Sequence, residues 1–313
     1  MTDAKLRIHF REPAVDLNLP ITDGTVRVDG FKLDFIADEK AEYDVWDNGF
    51  GARVVEQADS APVVSVPAFT NRKFRLSYIY VNSAAGIESP RDLEGRRVGI
   101  MMWSNTAGVW ARGALQHRYG VDLTSIRWCS THPQRQSLKP TFKIEGLPKR
   151  DTLDSLLVAG QLDAVIEPNV LPSISRKDPR VRRLFRDHKS EEQTYFRETG
   201  IFPISHMITL RQEFVDRHPD APVEVLRAFR RARDEAFNRI VGSDPAILVL
   251  SWASAYLEEQ RALMGENYWP YNLADNERPL KAFTQYAYEQ GVTPRQLPYD
   301  GFFHADAAKL PGQ

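Results

Sequence analysis

Between residues 74 and 115 the chain reads FRLSYIYVNSAAGIESPRDLEGRRVGIMMWSNTAGVWARGAL, and the order of signals here restricts the fold more than any other stretch does. Val98–Ile100 has the short apolar character of a buried strand. The polar run Ser104-Asn105-Thr106 then precedes an Ala/Val/Trp/Leu-rich helical pattern that ends near Gly120. A strand that feeds straight into a helix leaves unpaired N–H groups, and the positive end of the helix dipole, at the edge where the strand stops. An anion fits such a place, and a carboxylate is the ligand this geometry points to.

The neighbouring segments extend the pattern. From Val98 to about Phe185 the order is strand, helix 107–118, strand 126–129, polar loop, helix 151–159 and strand Asp163–Ile166, a βαβαβ arrangement that predicts a parallel sheet with right-handed crossovers. Before it, Leu6–Phe10, Phe31–Ile36, Tyr43–Trp46, Pro62–Phe69 and Leu76–Val81 read as strands with only short helical patterns between them. After Gly200, Ile201–Leu210 reads as a strand, followed by amphipathic helices over Val223–Ile240, Pro245–Met264 and Arg278–Gln290. The expected organisation is therefore one lobe from 1–82 plus 200–313 and a second from 98–195, with crossings near 83–97 and 196–205. The loop 130–150 carries Pro133, Pro140, Gly146 and Pro148, so it is expected to be exposed or to hang over a site as a lid.

Composition narrows the class of partner. With 313 residues the chain is long enough for two lobes, each burying its own core. A formal net charge of −1 gives no global attraction to nucleic acid or to an acidic membrane, so the expected partner is a small molecule recognised by local charge. The single cysteine, Cys129, excludes an intrachain disulfide framework, and the histidines lack the spacing of a recognisable metal site. MTDAKLRIHF lacks the basic start and apolar core of a secretory leader, and no later run approaches a transmembrane length, so a cytoplasmic location is the expectation.

A lobe, a crossing, a second lobe and a return is the plan of the type 2 periplasmic binding-protein fold, an α/β fold in which each lobe is a mixed sheet flanked by helices and the ligand cleft lies between lobes. SPRDLEGRRVGI and TLDSLLVAGQLDAVI resemble phrases of that superfamily. More specifically, the chain resembles the 4,5-dihydroxyphthalate decarboxylase family. The likeness is carried by Arg72, Phe74, Arg75 and Ser77 in NRKFRLSYIYVN, Thr106-Ala107, Val109-Trp110, Arg112-Gly113, Tyr119-Gly120-Val121, Arg180–Phe185, YFRETGIFPISH at 195–206 and ALMGENYWPYN at 262–272. The sequence departs from the family where Met101-Met102-Trp103-Ser104 replaces Pro-Glu-Tyr-Gln, and where Leu76 replaces histidine.

The resemblance implies a carboxy-lyase acting on a hydroxylated aromatic acid without a cofactor. Such a reaction needs a proton donor at the ring carbon that bears the carboxylate, groups that hold carboxylate, and a fairly dry aromatic pocket. His206, on the returning strand, is carried over from the family as a catalytic residue, and its imidazole can donate a proton near neutral pH. Its plain alternative is a core or hinge histidine bonded to backbone. Asp47 stands where the family has glutamate, at the end of a strand, and is expected to donate a proton or to pair with His206; an Asp before a turn also reads as a helix cap.

Arg72 and Arg75 are the expected arginine forks for carboxylate, with surface or inter-lobe salt bridges as their structural alternative. Trp103, Ser104, Asn105 and Thr106 form the helix-entry loop, where amides and hydroxyls would hold carboxylate and Trp103 would offer a stacking face. Arg112 is expected to lock its helix, Trp269 and Tyr271 to pack a lobe core or an oligomer contact, and His132 to reach the cleft only as part of a lid. A homo-oligomer is compatible with this reading. The competing class is a non-enzymatic solute-binding protein for a small aromatic carboxylate.

Overall fold

Two six-stranded sheets organise the chain, and the polypeptide passes between them twice. The computed structural model describes residues 4–11, 15–132, 139, 141–148, 150–241 and 250–312. In the first sheet β1 (Ala4–His9) lies parallel to β2 (Phe31–Phe35) and β3 (Val45–Gly49). The short strands β4 (Val63–Ser65) and β5 (Asn71–Arg72) join the same sheet through the returning strand, described below. The second sheet contains β6 (Ile79–Asn82), β7 (Arg97–Ile100), β8 (Arg127–Ser130), β9 (Ile144–Gly146), β10 (Ala164–Ile166) and β11 (Val181–Arg183), in the order β11-β6-β10-β7-β8-β9. Strands β10, β7, β8 and β9 run parallel, as the βαβαβ pattern predicts, and β6 runs antiparallel beside β10 and β11.

β12 (Ile204–Arg211) returns to the first sheet and pairs antiparallel with β3, β4 and β5. It is buried along most of its length, as a central strand must be. The two-lobed α/β plan is thus present. One boundary differs from the sequence reading: the first-lobe segment 1–82 was expected to end with the strand Leu76–Val81, whereas Leu76–Tyr78 forms a 3-10 turn and Ile79–Asn82 pairs in the second sheet. The crossing therefore precedes residue 79. A strand buried along its whole length carries no alternation to reveal which sheet receives it.

Helices cover both sheets. Thr106–Tyr119 follows β7 and ends at Gly120, which adopts a left-handed conformation with φ 65°. Helix Phe50–Ala58, unexpected from the sequence, starts directly after β3, and helix His188–Thr199 leads toward β12. The C-terminal third is helical as expected, with Ala221–Val241, Ala253–Met264 and Glu277–Glu289. Residues 245–249 of the expected Pro245–Met264 helix lie outside the described residues, as do 133–138, 140 and 149 of the lid loop. Among the described residues no helix is long and apolar enough to cross a membrane.

The lobes touch backbone to backbone at Gly51, in the first turn of helix Phe50–Ala58. An ideal Cβ on Gly51 would lie 2.0 Å from the Ser104 carbonyl oxygen and 2.9 Å from the Thr106 amide nitrogen. Both atoms are main chain, so no rotamer change relieves the clash. Gly51→Ala is expected to lower the unfolding free energy by about 1–3 kcal/mol. Urea denaturation checks this; an unchanged midpoint would show that the lobes do not meet at this residue.

Candidate functional site

The pairing of β12 with β3 places the two residues expected to handle the proton. Ile208 stands opposite Asp47 and His206 opposite Gly49, so Asp47 and His206 are diagonal neighbours on one face of the sheet. Asp47 Oδ2 lies 2.9 Å from His206 Nδ1, and Asp47 Oδ1 accepts a 2.5 Å hydrogen bond from the Thr70 hydroxyl. The Asp47 side chain is 2 % exposed and that of His206 14 % exposed. A buried carboxylate held at both oxygens fixes the imidazole, assigns the Nδ1 proton and leaves Nε2 as the reactive edge. Among the described residues Nε2 has no hydrogen-bond partner. Asp47 is not a helix cap: the cap of helix Phe50–Ala58 is Gly49, two residues later.

Gly49 opposes the His206 ring. A Cβ there would sit 3.9 Å from Nε2 and 3.5 Å from Thr106 Oγ1, which brings the imidazole close to the start of helix Thr106–Tyr119. That helix entry is partly used by the protein itself. Thr106 Oγ1 accepts from the Gly51 amide at 2.9 Å, and Asn105 Oδ1 caps the helix by accepting from the amides of Ala107 at 3.0 Å and Gly108 at 3.3 Å. Asn105 Nδ2 and the Ser104 hydroxyl carry no hydrogen bond among the described residues. They are the donors of this loop open to an anion, at the positive end of the helix.

Trp103 does not offer the stacking face expected of it. It is 1 % exposed, lies under the Arg112 guanidinium at 3.9 Å, meets Trp128 edge-on and donates from Nε1 to the Gln290 carbonyl. Arg112 locks the helix as expected: Nε donates to Gln290 Oε1 at 2.8 Å and Nη2 to the Trp103 carbonyl at 2.5 Å. Burial lowers its guanidinium from the usual 12.5 to about 9.

Arg72 and Arg75 are enclosed at the crossing between lobes. Arg72 donates to the carbonyls of Phe202 and Pro270 and to Asn276 Oδ1, with the rings of Phe69, Phe202 and Trp269 around it. Burial lowers it to about 9 as well. Arg75 donates to the Ser205 hydroxyl and, at 3.5 Å, to the Pro168 carbonyl, so it ties the first sheet to the end of β10. Both arginines are thus buried and bond to carbonyl, amide or hydroxyl oxygens at the crossing, where the sequence alone allows a solvated surface position. Trp269 and Tyr271 pack there too: Trp269 donates to the Phe69 carbonyl and Tyr271 is 1 % exposed.

Two cavities of about 600 Å³ each flank this region. Neither is lined by Asp47 or His206; one lies on the crossing side between helices His188–Thr199 and Ala253–Met264, with Arg72 in its wall. The other opens where β7, β8 and β10 end, at Met101, Thr131, His132, Thr152, Leu153 and Glu167. Strand ends of a parallel sheet are where α/β folds bind ligands, so the second cavity is the better placed. Burial pushes the Glu167 carboxyl up to about 7. Sequence reasoning missed Glu167 and Thr70; Glu167 directly follows the strand Ala164–Ile166, a position the strand-end rule could have flagged, whereas Thr70 carries no local signal. Among the described residues no group of three or more His, Cys, Asp or Glu is arranged to hold a metal.

Comparison with known proteins agrees with the motifs. The family model "NMT1/THI5 like" matches residues 30–134. A 4,5-dihydroxyphthalate decarboxylase of Comamonas testosteroni is 29 % identical over 96 % of this chain and 97 % of its own length. Another from Pseudomonas putida is 29 % identical over 57 % of this chain and 76 % of its own. Among solved structures, the periplasmic aliphatic sulphonate binding protein SsuA of Escherichia coli aligns with a TM-score of 0.58 at 15 % identity, over 97 % of this chain and 99 % of that one. The chain has the type 2 periplasmic binding-protein-like fold, and its resemblance to 4,5-dihydroxyphthalate decarboxylases extends over nearly all its length.

The Glu167 shift gives a signed pH dependence. An unfolded glutamate ionises near 4.5 and the native one near 7, so between these values the native state binds the extra proton. Wild-type stability should fall as pH rises through that window, and Glu167→Gln should remove this component. Urea unfolding at pH 5 and pH 8 checks it: the variant's stability relative to wild type rises with pH if the carboxyl is buried as described.

Proposed function

We propose, for a chain that resembles 4,5-dihydroxyphthalate decarboxylases over 96 % of its length, that it is a cofactor-independent carboxy-lyase of a hydroxylated aromatic acid. The observation that carries this reading is the bond between buried Asp47 on β3 and His206 on β12. A protonated His206 donates from Nε2 to the ring carbon that bears the carboxylate, and the Asp47 charge supports the imidazolium. A ring hydroxyl stabilises the resulting cation. The bond to the carboxylate then breaks, its electron pair restores the aromatic ring, and CO2 leaves. Ser104, Asn105 and the start of helix Thr106–Tyr119 hold the substrate carboxylate, while Thr70 keeps Asp47 oriented.

The likeness to a sulphonate-binding protein supports a second reading, capture of a small aromatic carboxylate without turnover. Purified protein incubated with 4,5-dihydroxyphthalate and related hydroxybenzoates separates the two. CO2 release supports the lyase; calorimetric binding without release across the panel sinks it. In the lyase, His206→Ala should lower kcat by roughly 10²–10⁴-fold. Asp47→Asn should cause a smaller loss, and neither change should weaken binding to the same degree.

A further inference from the structure

The cavity at the end of the second sheet has a chemical character that the proton-handling pair does not explain. Its floor is the C-terminal edge of β7, β8 and β10. Met101 and the buried Leu153 supply apolar surface, while Glu167, Asp151 and Thr131 supply oxygen atoms. No lysine or arginine lines it; its one imidazole, His132, has Nδ1 engaged by the Thr131 hydroxyl and the Met101 carbonyl. The Thr131 hydroxyl is already committed to the Met101 carbonyl, and Asp151 faces Arg150 at 3.8 Å. The Glu167 side chain has no hydrogen bond or ion pair among the described residues, although its backbone is fixed by a 3.2 Å bond from its amide to the Tyr78 carbonyl. A partly buried carboxyl without a partner beside an apolar wall disfavours an anion and favours a hydrogen-bond donor carried on a flat apolar body.

Two connections tie this cavity to His206. Met101 lines the cavity and begins the loop that ends at Thr106, whose hydroxyl faces Gly49 as the His206 ring does. Arg75 bonds Pro168, next to Glu167, and Ser205, next to His206.

We propose that this cavity is the subsite for the hydroxyl-bearing edge of an aromatic acid, with Glu167 accepting hydrogen bonds from ring hydroxyls and so setting specificity for hydroxylated over plain aromatic acids. The assignment rests on the lyase reading for its orientation, in which the carboxylate lies toward Ser104 and Asn105 and the hydroxyls lie away from it. It makes adjacent hydroxyls the preferred pattern, because two neighbouring O–H groups can meet the two oxygens of one carboxylate.

The test is calorimetric binding of 3,4-dihydroxybenzoate and of benzoate at pH 8, where Glu167 is ionised, to wild type, Glu167→Ala and Glu167→Gln, with thermal melts to verify folding and CO2 release from 4,5-dihydroxyphthalate followed separately. Wild type should prefer the dihydroxy acid, and Glu167→Ala should shrink that preference by at least about tenfold, the size of a hydrogen bond to a charged acceptor. Glu167→Gln, which keeps an acceptor oxygen, should retain part of it. Met101→Trp, which fills the cavity, should also weaken the dihydroxy acid more than benzoate, and serves if Glu167→Ala does not fold. A preference unchanged in the folded variants, or absent in wild type, overturns the subsite. Turnover with an unchanged preference would overturn the subsite alone, whereas a collapsed preference in a protein that releases no CO2 would overturn the lyase reading alone.

Discussion

The antiparallel register of β12 on β3 is the constraint on which the site depends. It joins residues 159 positions apart, and a shift of one residue would turn His206 to the opposite face, away from Asp47. The register is held by burial: Ile204, Met207, Ile208 and Leu210 are wholly enclosed, so any slip would exchange apolar for polar side chains along the strand. β4 and β5 pair with the same strand and fix it from its other edge. The crossing arginines then place the second sheet relative to this frame, with Arg75 reaching from Ser205 to Pro168.

Much of this architecture is legible in the sequence, and the exceptions have identifiable physical causes. β7 and β10 read correctly because strands buried on both faces are short apolar runs between turn signals, and the helix after β7 carries its own polar start and glycine stop. Helix Phe50–Ala58 is hidden by the glycines at its beginning, whose poor helical propensity is overridden by contact with the second lobe. Helix His188–Thr199 is hidden for another reason: Tyr195 is its one buried residue, so it has no apolar stripe to detect. Of the site, Asp47 and His206 could be named separately from strand ends and motif resemblance. Their 2.9 Å contact belongs to the register, which no local pattern encodes. Trp103 shows the opposite failure, since a tryptophan in a cleft loop can turn inward when a buried cation such as Arg112 is there to cover it.

Arg72 and Arg112 share a property that shapes the protein's interior. Each is buried and only partly bonded, by carbonyl or amide oxygens and aromatic faces, with Arg72 Nε and Arg112 Nη1 lacking a hydrogen-bond partner and no carboxylate at hydrogen-bond distance among the described residues. Neutral acceptors compensate a desolvated guanidinium only in part, which is why burial lowers both. Removing any one of those oxygens would leave a charge uncompensated in the interior, so these positions tolerate little change around them.

The seam between helices Thr106–Tyr119 and Glu277–Glu289 has a further consequence for how a ligand could come and go. Gln290 bonds Arg112 through its side-chain oxygen and the Val109 carbonyl through its nitrogen, while Trp103 bonds the Gln290 carbonyl. Tyr286 lies so close over Gly113 that a methyl group there would fall 2.0 Å from its ring. Trp110 packs against Phe283 with centroids 5.1 Å apart. A wide swing of the lobes would expose these polar groups without partners and separate those rings, at a cost comparable to a large part of a domain's net stability. Traffic through the cleft is therefore better served by local movement of side chains and loops at its mouth than by hinged opening. A transporter's shuttle needs to open readily at each cycle, whereas a reaction chamber gains from walls that stay in place while small molecules pass.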